Sequence, residues 1–286
     1  MAARILDGRA LAAEIRADVA ARAQALRARG VVPSLAVTIA GDDAASRGYA
    51  RSIENAGRKA GIDVSVHALH ERATENDVRA QLRALAADAN VHGIILQQPL
   101  PAHLSVRRLA DAVPRPKDVD GTNPASIGLL ATASSTAFAP ATPLACMLLL
   151  ERSAHARLRG VRACVVGRST VVGLPVALLL LARDATVTIV HRGTRDLAAE
   201  TRAADVLVVA AGRPRAITAD MVAPGATVID VGTTYVDGAV TGDVAFDEVA
   251  EVAGDITPVP GGVGPVTSAA LLRNAVTAAE RQTSSG

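Results

Sequence analysis

Short, β-branched apolar runs alternate repeatedly along the chain with longer stretches rich in Ala, Leu and Arg. This alternation is typical of βαβ units, whose strands form a mostly parallel sheet covered by helices. In the first half of the chain it predicts strands at 35–40, 64–69 and 91–97, and helices at 44–60 and 75–87. Thr74 and Asp77 form a capping box that marks the start of the second helix.

The second half repeats the pattern after a passage rich in Pro, Gly, Ser and Thr between residues 114 and 143. This passage is typical of a crossover that leads to a new domain. The pattern beyond it predicts strands at 163–166, 186–190, 206–210 and 227–231, and helices at about 142–151, 172–182 and 268–281. We therefore expect two α/β lobes in tandem.

Composition excludes several classes of protein. Half of the 286 residues are hydrophobic, so a sizeable core is expected, and no apolar run reaches the 18 residues that a membrane span needs. Two Tyr, two Phe, no Trp and no block of like charges argue against binding of nucleic acid. Cys146 and Cys164 lie in apolar runs and are expected to be reduced core residues. Asp7, Glu14 and Asp18 interrupt any targeting pattern, so a cytoplasmic protein is expected.

A glycine-rich loop, Gly167 to Gly173, lies between a buried strand and a helix of the second lobe. Glycines in this place let backbone amides and the helix N-terminus approach a pyrophosphate. The spacing is G-x₅-G rather than G-x-G-x-x-G, so a plain tight turn remains the alternative.

The next strand of this lobe ends at His191, Arg192 and Thr194. An acidic residue at this place binds the ribose 2′-hydroxyl of NAD, whereas a basic residue suits the 2′-phosphate of NADP. Arg192, together with Arg168 in the first loop, therefore favours NADP. Each arginine could instead be a solvated surface residue, and Thr194 could simply cap the next helix.

Polar residues of the first lobe follow its strands and begin its helices. Ser46 and Tyr49 lie early in a helix, and Gln97 ends an apolar strand, at the edge where open α/β sheets bind ligands. Asp118 and Asp120 lie in a loop without a His or Cys to support a metal, so no metal is expected and a turn is the simpler interpretation. Near the end, 257–265 is predicted to be a stiff, non-helical Gly/Pro loop, as a ligand site or as a connector.

At these residues the chain resembles the bifunctional methylenetetrahydrofolate dehydrogenase/methenyltetrahydrofolate cyclohydrolase family across essentially its whole length. The GRSxxVGxP and ITPVPGGVGPVT segments are highly specific, and the order and spacing of the motifs agree. The matches are ILDG (5–8), SxxY (46–49), QxPLP (97–101), KDVDG (117–121), TP (142–143), VVGRSxxVGxP (165–175), VIDVG (228–232), GDV (242–244) and ITPVPGGVGPVT (256–267).

The resemblance implies two α/β lobes with a folate cleft between them, the C-terminal lobe being a Rossmann-type NADP-binding domain. It assigns 1–141 and 266–286 to a folate-binding catalytic domain and 142–265 to the NADP-binding domain. It also implies a homodimer that acts on one-carbon derivatives of tetrahydrofolate.

Site residues follow from the same resemblance, position by position. Tyr49 would stack on the aminobenzoate ring of the folate, Asp120 would hold the pterin, and Gln97 would lie beside the reacting one-carbon bridge. Ser46 and the loop of Pro260, Gly261, Gly262, Val263, Gly264 and Pro265 would complete the substrate site. The cofactor residues would be Gly167, Arg168, Ser169, Gly173, His191, Arg192, Thr194 and Gly232.

The sequence departs from its family at position 53, where a lysine that faces the one-carbon bridge is replaced by Ile53. The chain has only two lysines, Lys59 and Lys117, and on a helical period the positions sharing the Tyr49 face are 53, 56, 57 and 60. Hydride transfer needs no protein base, whereas hydrolysis of the methenyl bridge does. We therefore expect a dehydrogenase whose cyclohydrolase activity is weak or lost.

Three alternatives stay open on the sequence alone. The enzyme could be fully bifunctional, with Lys59 or a neighbouring arginine reaching the site through a rearranged helix. It could be a catalytically silent NADP-binding regulator, although a regulator need not keep Tyr49, Gln97 and Asp120. A shikimate-type dehydrogenase has a similar two-lobe plan, but it leaves the folate-loop residues unexplained.

Overall fold

The computed structural model describes residues 2–284, in which strands and helices alternate as the pattern predicts. The strands are β1 Arg4–Ile5, β2 Ser34–Ala40, β3 Asp63–Leu69, β4 Gly93–Leu96, β5 Arg162–Val166, β6 Thr186–Val190, β7 Val206–Val209, β8 Thr227–Asp230, β9 Thr234–Val236, β10 Ala239–Thr241 and β11 Asp255–Ile256. The helices are α1 Gly8–Ala28, α2 Ala44–Lys59, α3 Glu75–Ala87, α4 Val106–Leu109, α5 Pro124–Ala131, α6 Ala141–Leu150, α7 Gly173–Leu181, α8 Leu197–Arg202, α9 Phe246–Val249 and α10 Val263–Thr283.

One compact unit comprises residues 2–13, 130–134 and 142–270. Its sheet has the order β6-β5-β7-β8-β11-β1, and every pairing in that sheet is parallel. The order reverses between β5 and β7, and this switch point is where open α/β sheets bind ligands. The Rossmann-type α/β prediction for the C-terminal lobe is therefore confirmed.

Buried aliphatic side chains explain why the strands of this unit were predictable. Each residue of β7 and β8 is buried, as expected for a parallel sheet covered on both faces. By contrast, β1 has only two residues, too few for a periodic signal. Because β1 pairs with β11, the start of the chain joins this unit, whereas the predicted domains placed it with the first lobe.

The second unit comprises residues 14–129, 135–141 and 271–284. Its parallel sheet has the order β3-β2-β4, and α3 packs on it through Val78, Leu82 and Leu85. The predicted capping box of α3 is confirmed, since the Thr74 side chain accepts from the Asp77 N–H and Asp77 accepts from the Thr74 N–H. The predicted α/β character of this lobe is thus also confirmed.

The last helix begins earlier than predicted. It starts at Val263 rather than Ser268, so the predicted non-helical loop ends at Gly262 and that part of the prediction was wrong. Pro265 lies in the first turn of α10, where a missing N–H costs nothing because the first four N–H groups of a helix have no partner within it. The antiparallel pair of β9 and β10 was also missed.

Two further findings concern the described part of the chain. Its helices do not combine the length and apolar composition needed to cross a membrane. Within residues 2–284, His, Cys, Asp and Glu side chains form no cluster of three or more that could hold a metal. Cys146 and Cys164 are free and buried, as predicted, and burial raises the pKa of each thiol to about 12.

Candidate active site

The turn after β5 folds back on itself so tightly that two of its positions accept only glycine. Gly167 has a φ of +120°, and a Cβ there would collide with the carbonyl oxygen of Ala210, directly after β7. A Cβ on Gly173 would in turn collide with the carbonyl oxygen of Gly167. The Ser169 hydroxyl accepts from the N–H groups of Val172 and Gly173, at 3.2 and 3.4 Å. The turn therefore brings backbone amides and the N-terminus of α7 to the switch point, a suitable cradle for a phosphate.

The turn after β6 is closed by its own side chains. The His191 N–H donates to the Thr194 hydroxyl at 3.0 Å, and the Gly193 N–H donates to Nδ1 of His191 at 3.0 Å. Arg192 is exposed. Helix α8 is capped by Asp196, which accepts from the Ala199 N–H, so the alternative that Thr194 caps this helix was wrong. His191 and Thr194 thus shape the turn that presents Arg192.

A pair of buried carboxylates, which sequence reasoning did not assign to the site, organises the loops beyond β8. Asp230 accepts from the N–H groups of Gly232, Asp243 and Val244 at 2.8–3.0 Å. Asp243 accepts from the Gly212 N–H at 2.7 Å. Burial raises the pKa of Asp230 to about 6 and also raises that of Asp243. The VIDVG and GDV motifs contain this pair, but nothing in their spacing shows that the Asp230 carboxylate accepts from the Asp243 backbone.

Gly232 and the final Gly/Pro loop line one pocket of about 270 Å³ in this unit. Gly232 has no room for a Cβ against Asp243, and a Cβ on Gly262 would lie 2.6 Å from the Pro258 carbonyl oxygen. Arg9 also lines the pocket. The structure therefore brings together the predicted cofactor residue Gly232 and the predicted substrate loop 260–265.

In the other unit, Ser46, Tyr49 and Ile53 lie on one helix. Asp43 caps α2 by accepting from the N–H and the hydroxyl of Ser46, at 2.7 and 2.8 Å. Ser46 is buried and Tyr49 is half-buried. The predicted SxxY motif thus combines a helix start with a tyrosine one turn further on.

Ile53 is 2% exposed and belongs to the buried stripe of α2. That stripe consists of Ser46, Ala50, Ile53, Gly57 and, just beyond the helix, Ala60. Arg51, Arg58 and Lys59 are exposed, and Arg58 pairs with Glu54 at 3.1 Å. The helix is continuous, so the structure shows no rearrangement that would bring Lys59 or a neighbouring arginine onto the Ile53 face.

Lys117, the second lysine, completes the end of another helix. Its Nζ donates to the carbonyl oxygens of Ala86 and Asp88, at 2.9 and 2.6 Å, at the C-terminus of α3. Cations in this place satisfy the last carbonyls of a helix. The ammonium groups of both lysines therefore lie away from the buried stripe of α2.

Gln97 follows β4 directly, at the carboxyl edge of its sheet, as predicted. Its Nε2 donates to the Gln98 carbonyl oxygen at 2.5 Å, and the Gln98–Pro99 peptide bond is cis. A cavity of about 690 Å³ opens at this edge, but its lining contains none of Ser46, Tyr49, Gln97 and Asp120.

The two aspartates of the KDVDG motif have different surroundings. Asp118 is fully buried and accepts four hydrogen bonds, from the N–H and hydroxyl of Thr122, the N–H of Asn123 and the hydroxyl of Ser126. It therefore organises the turn, as the simpler interpretation of the sequence predicts. Asp120 is half-buried and accepts a 3.4 Å hydrogen bond from the Ala141 N–H. Burial, aided by the Asp118 charge, raises the pKa of Asp120 to about 7.

Comparison with known proteins decides the family. Residues 6–120 match the catalytic domain of tetrahydrofolate dehydrogenase/cyclohydrolase, and residues 140–283 match its NAD(P)-binding domain. The chain belongs to this family. The resemblance stated from the motifs is thus confirmed, and family membership excludes a shikimate-type dehydrogenase.

Relatives within the tetrahydrofolate dehydrogenase/cyclohydrolase family cover the chain almost completely. The bifunctional protein FolD of Bordetella avium is 52% identical, over 98% of this chain and 99% of its own length. The crystal structure of the bifunctional enzyme FolD from Campylobacter jejuni has 40% identity and a TM-score of 0.96, covering 98% and 99% of the two chains. The enzyme of Trypanosoma brucei, solved with NADP and an inhibitor, has 36% identity and a TM-score of 0.93, covering 99% of each chain.

Proposed function

We propose that this protein oxidises 5,10-methylenetetrahydrofolate to 5,10-methenyltetrahydrofolate with NADP. The observation that carries the proposal is the glycine turn after β5, in the family's NAD(P)-binding domain, where Gly167 and Gly173 leave no room for side chains. NADP, when bound, accepts the hydride. The remaining chemistry is positioning, because hydride transfer requires no protein group to take up a proton.

The surroundings of the turns after β5 and β6 fit NADP. The backbone from Gly167 to Gly173, with Arg168 and Ser169, would hold the phosphates, and His191 and Thr194 would hold the turn that carries Arg192. Arg192 is exposed and suits a 2′-phosphate, since a guanidinium forms charge-assisted bonds with phosphate oxygens. The Trypanosoma brucei relative, solved with NADP, supports the same choice.

Substrate contacts are proposed for three side chains of the first lobe and for the Gly/Pro loop near the end of the chain. Tyr49 would stack on the aminobenzoate ring, Gln97 would lie beside the one-carbon bridge, and Asp120 would accept hydrogen bonds from the pterin. Asp120 suits this task because its carboxylate has a single protein donor, the Ala141 N–H, among the hydrogen bonds described for it. The Gly/Pro loop from Pro260 to Pro265, whose backbone lines a pocket, would complete the folate contacts.

The second half-reaction has two candidate outcomes. The relatives carry bifunctional names, which support full cyclohydrolase activity better than its loss. Ile53 supports the narrower proposal that hydrolysis is weak or absent, because its buried side chain cannot donate, accept or orient a water. General acid–base help is worth about 10²–10⁴-fold, so its loss would separate the two rates clearly.

A paired assay on the purified protein tests both proposals. Methylenetetrahydrofolate oxidation should be measurable with NADP, and methenyltetrahydrofolate hydrolysis should be at least about 100-fold slower. Comparable rates would establish the bifunctional alternative and reject the role given to Ile53. NADP binding without oxidation would instead indicate the catalytically silent regulator.

Ile53→Lys provides the sharper companion test. Hydrolysis should rise about 10-fold or more, while oxidation changes less than about 3-fold. Since an ammonium at this buried position is costly, the thermal midpoint should be recorded alongside the rates. Ile53→Met, which keeps the volume and adds no charge, serves as the matched control and should leave hydrolysis unchanged. A folded Ile53→Lys protein that hydrolyses no faster than wild type would contradict the proposed role of position 53.

The family resemblance also supports a homodimer and the absence of nucleic-acid or membrane partners. Sedimentation equilibrium of the full chain tests the first of these: a single species at twice the chain mass of 29.1 kDa is expected.

A further inference from the structure

Asn274, near the middle of α10, makes a contact that the function described so far does not use. The residue is 6% exposed, and its Nδ2 donates to the carbonyl oxygens of Val119 and Ala139, at 2.8 and 2.9 Å. Both partners are acceptors only, which fixes the orientation of the amide, because its own oxygen would be repelled there. Both amide hydrogens are therefore committed to two backbone segments.

One of these segments contains Asp120, and the other contains the backbone N–H that donates to its carboxylate. Val119 directly precedes this aspartate, and Ala139 lies two residues before Ala141, whose N–H reaches Oδ1 of Asp120 at 3.4 Å. Gly121, on the other side, has a φ of +60°, and a Cβ there would lie 2.7 Å from the Phe138 carbonyl oxygen. The loop and the segment at 138–141 thus run in close contact, and the Asn274 amide donates to both of them.

We propose that Asn274 is a positioning residue that sets the place of the Asp120 carboxylate for the substrate's pterin ring. The inference rests on the proposed function, in which Asp120 accepts hydrogen bonds from the pterin. Without the two bonds from Asn274, the Val119 and Ala139 carbonyls lose a shared donor in a buried place, and the two segments separate. Because hydrogen bonds weaken steeply as their distance and angle depart from the optimum, a displaced Asp120 carboxylate would bind the pterin less tightly.

Arg281, two turns further along α10, offers a matched control. Its guanidinium donates to the carbonyl oxygens of Ser135 and Thr136, at 2.9 and 3.0 Å, and lies 4.7 Å from the centre of the Phe138 ring. It therefore ties α10 to the same returning segment, but it forms no described bond to the loop at 118–121. Loss of Arg281 tests tethering of the segment, and loss of Asn274 tests positioning of Asp120.

The experiment compares Asn274→Leu with Arg281→Met in the full-length protein. For Asn274→Leu, the KM for methylenetetrahydrofolate should rise about 10-fold or more, while the KM for NADP stays within about twofold. For Arg281→Met, both constants should stay within about twofold, although its thermal midpoint falls. Equal increases of both KM values in Asn274→Leu would indicate a general structural role and overturn the proposal.

A double-mutant cycle with Asp120→Asn shows whether Asn274 acts through Asp120. Once Asp120 is replaced, adding Asn274→Leu should raise the folate KM by less than about twofold, because interacting residues are not additive. If the folate KM of the double variant instead rises by the product of the two single-variant increases, the proposal is overturned. If Asn274→Leu does not fold, Asn274→Ser, which retains one donor, takes its place, with a rise of about threefold expected and an unchanged KM again contradicting the role.

Failure of the proposed function would look different. In that case the wild-type protein would not oxidise methylenetetrahydrofolate. A KM for this substrate could then be measured neither for wild type nor for Asp120→Asn. If only the inference fails, Asp120→Asn still raises the folate KM, whereas Asn274→Leu leaves it unaltered.

Discussion

At the scale of single residues, the proposed preference for NADP depends on Arg192. This residue is exposed at the turn after β6, and a 2′-phosphate there would gain charge-assisted hydrogen bonds worth about 1.5–3 kcal/mol. Arg192→Gln should therefore raise the KM for NADP about 10- to 100-fold and leave the KM for NAD unchanged. Arg195→Gln, which removes an exposed charge three residues away, is the control. Similar losses in both variants would mean that general electrostatic attraction, rather than a phosphate contact, selects NADP.

Residue types alone separate functional from structural side chains only in part. The sequence could single out Asp118 and Asp120, but only the described hydrogen bonds show that the first organises the turn with four donors and the second has one. Likewise, the scarcity of lysine was visible, whereas the commitment of Lys117 to the end of α3 was not. Local spacing does not report which distant backbone groups converge on a side chain, and this limits site prediction from one sequence.

At the scale of elements, the end of α3 depends on Lys117, which donates to two carbonyls of its last turn and cap. Lys117→Met keeps most of the side-chain volume but removes both donors, so the free energy of unfolding should fall by about 2 kcal/mol. Urea denaturation measures this change. Lys59→Met, at the exposed end of α2, should cost less than about 0.5 kcal/mol. Because Lys117 caps a helix, the folded Lys117→Met protein should oxidise methylenetetrahydrofolate and hydrolyse methenyltetrahydrofolate at the wild-type rates. A selective loss of hydrolysis would instead identify Lys117 as the ammonium that position 53 lacks.

Most strands of four or more residues were predictable to within a residue or two, exposed ones included, whereas the shortest strands were not. The strands β5, β7 and β8 agree with the predicted ranges to within a residue, because continuous buried aliphatic runs leave little choice of state, and the more exposed β6 agrees as well. The two-residue β1 and the pair of β9 and β10 carry too few residues for a pattern. Helix α10 begins inside a Gly/Pro segment, since a proline is harmless in a first helical turn although it breaks helices elsewhere.

At the scale of the whole molecule, buried titratable groups make stability depend on pH in opposite directions. Burial raises the pKa of Asp120 to about 7 and that of Asp230 to about 6. Their contributions to the free energy of unfolding are therefore present at low pH and are lost as the pH rises through these values. Burial and the nearby Lys117 lower the pKa of His92, whose contribution is present above its unfolded pKa near 6.5 and is lost as pH falls. The two kinds of group therefore act in opposite directions between the ordinary Asp pKa of 3.8 and the ordinary His pKa of 6.5.

Asp120, the proposed pterin-binding carboxylate, contributes part of this dependence. A shift from the ordinary value of 3.8 to about 7 corresponds to about 4 kcal/mol at 1.36 kcal/mol per unit, and solvent screening of a half-buried group reduces this to about 2 kcal/mol. Asp120→Asn removes the titration while its amide oxygen can still accept from the Ala141 N–H. Its thermal midpoint should therefore exceed that of wild type increasingly between pH 5 and pH 8, while its folate KM rises.

Asp118→Asn is the control with the opposite sign, because an amide cannot accept all four hydrogen bonds that Asp118 receives. This variant should be less stable than wild type at each of these pH values. A difference between Asp120→Asn and wild type that does not vary with pH would show that Asp120 is already ionised at pH 5 and that its burial carries no cost in stability.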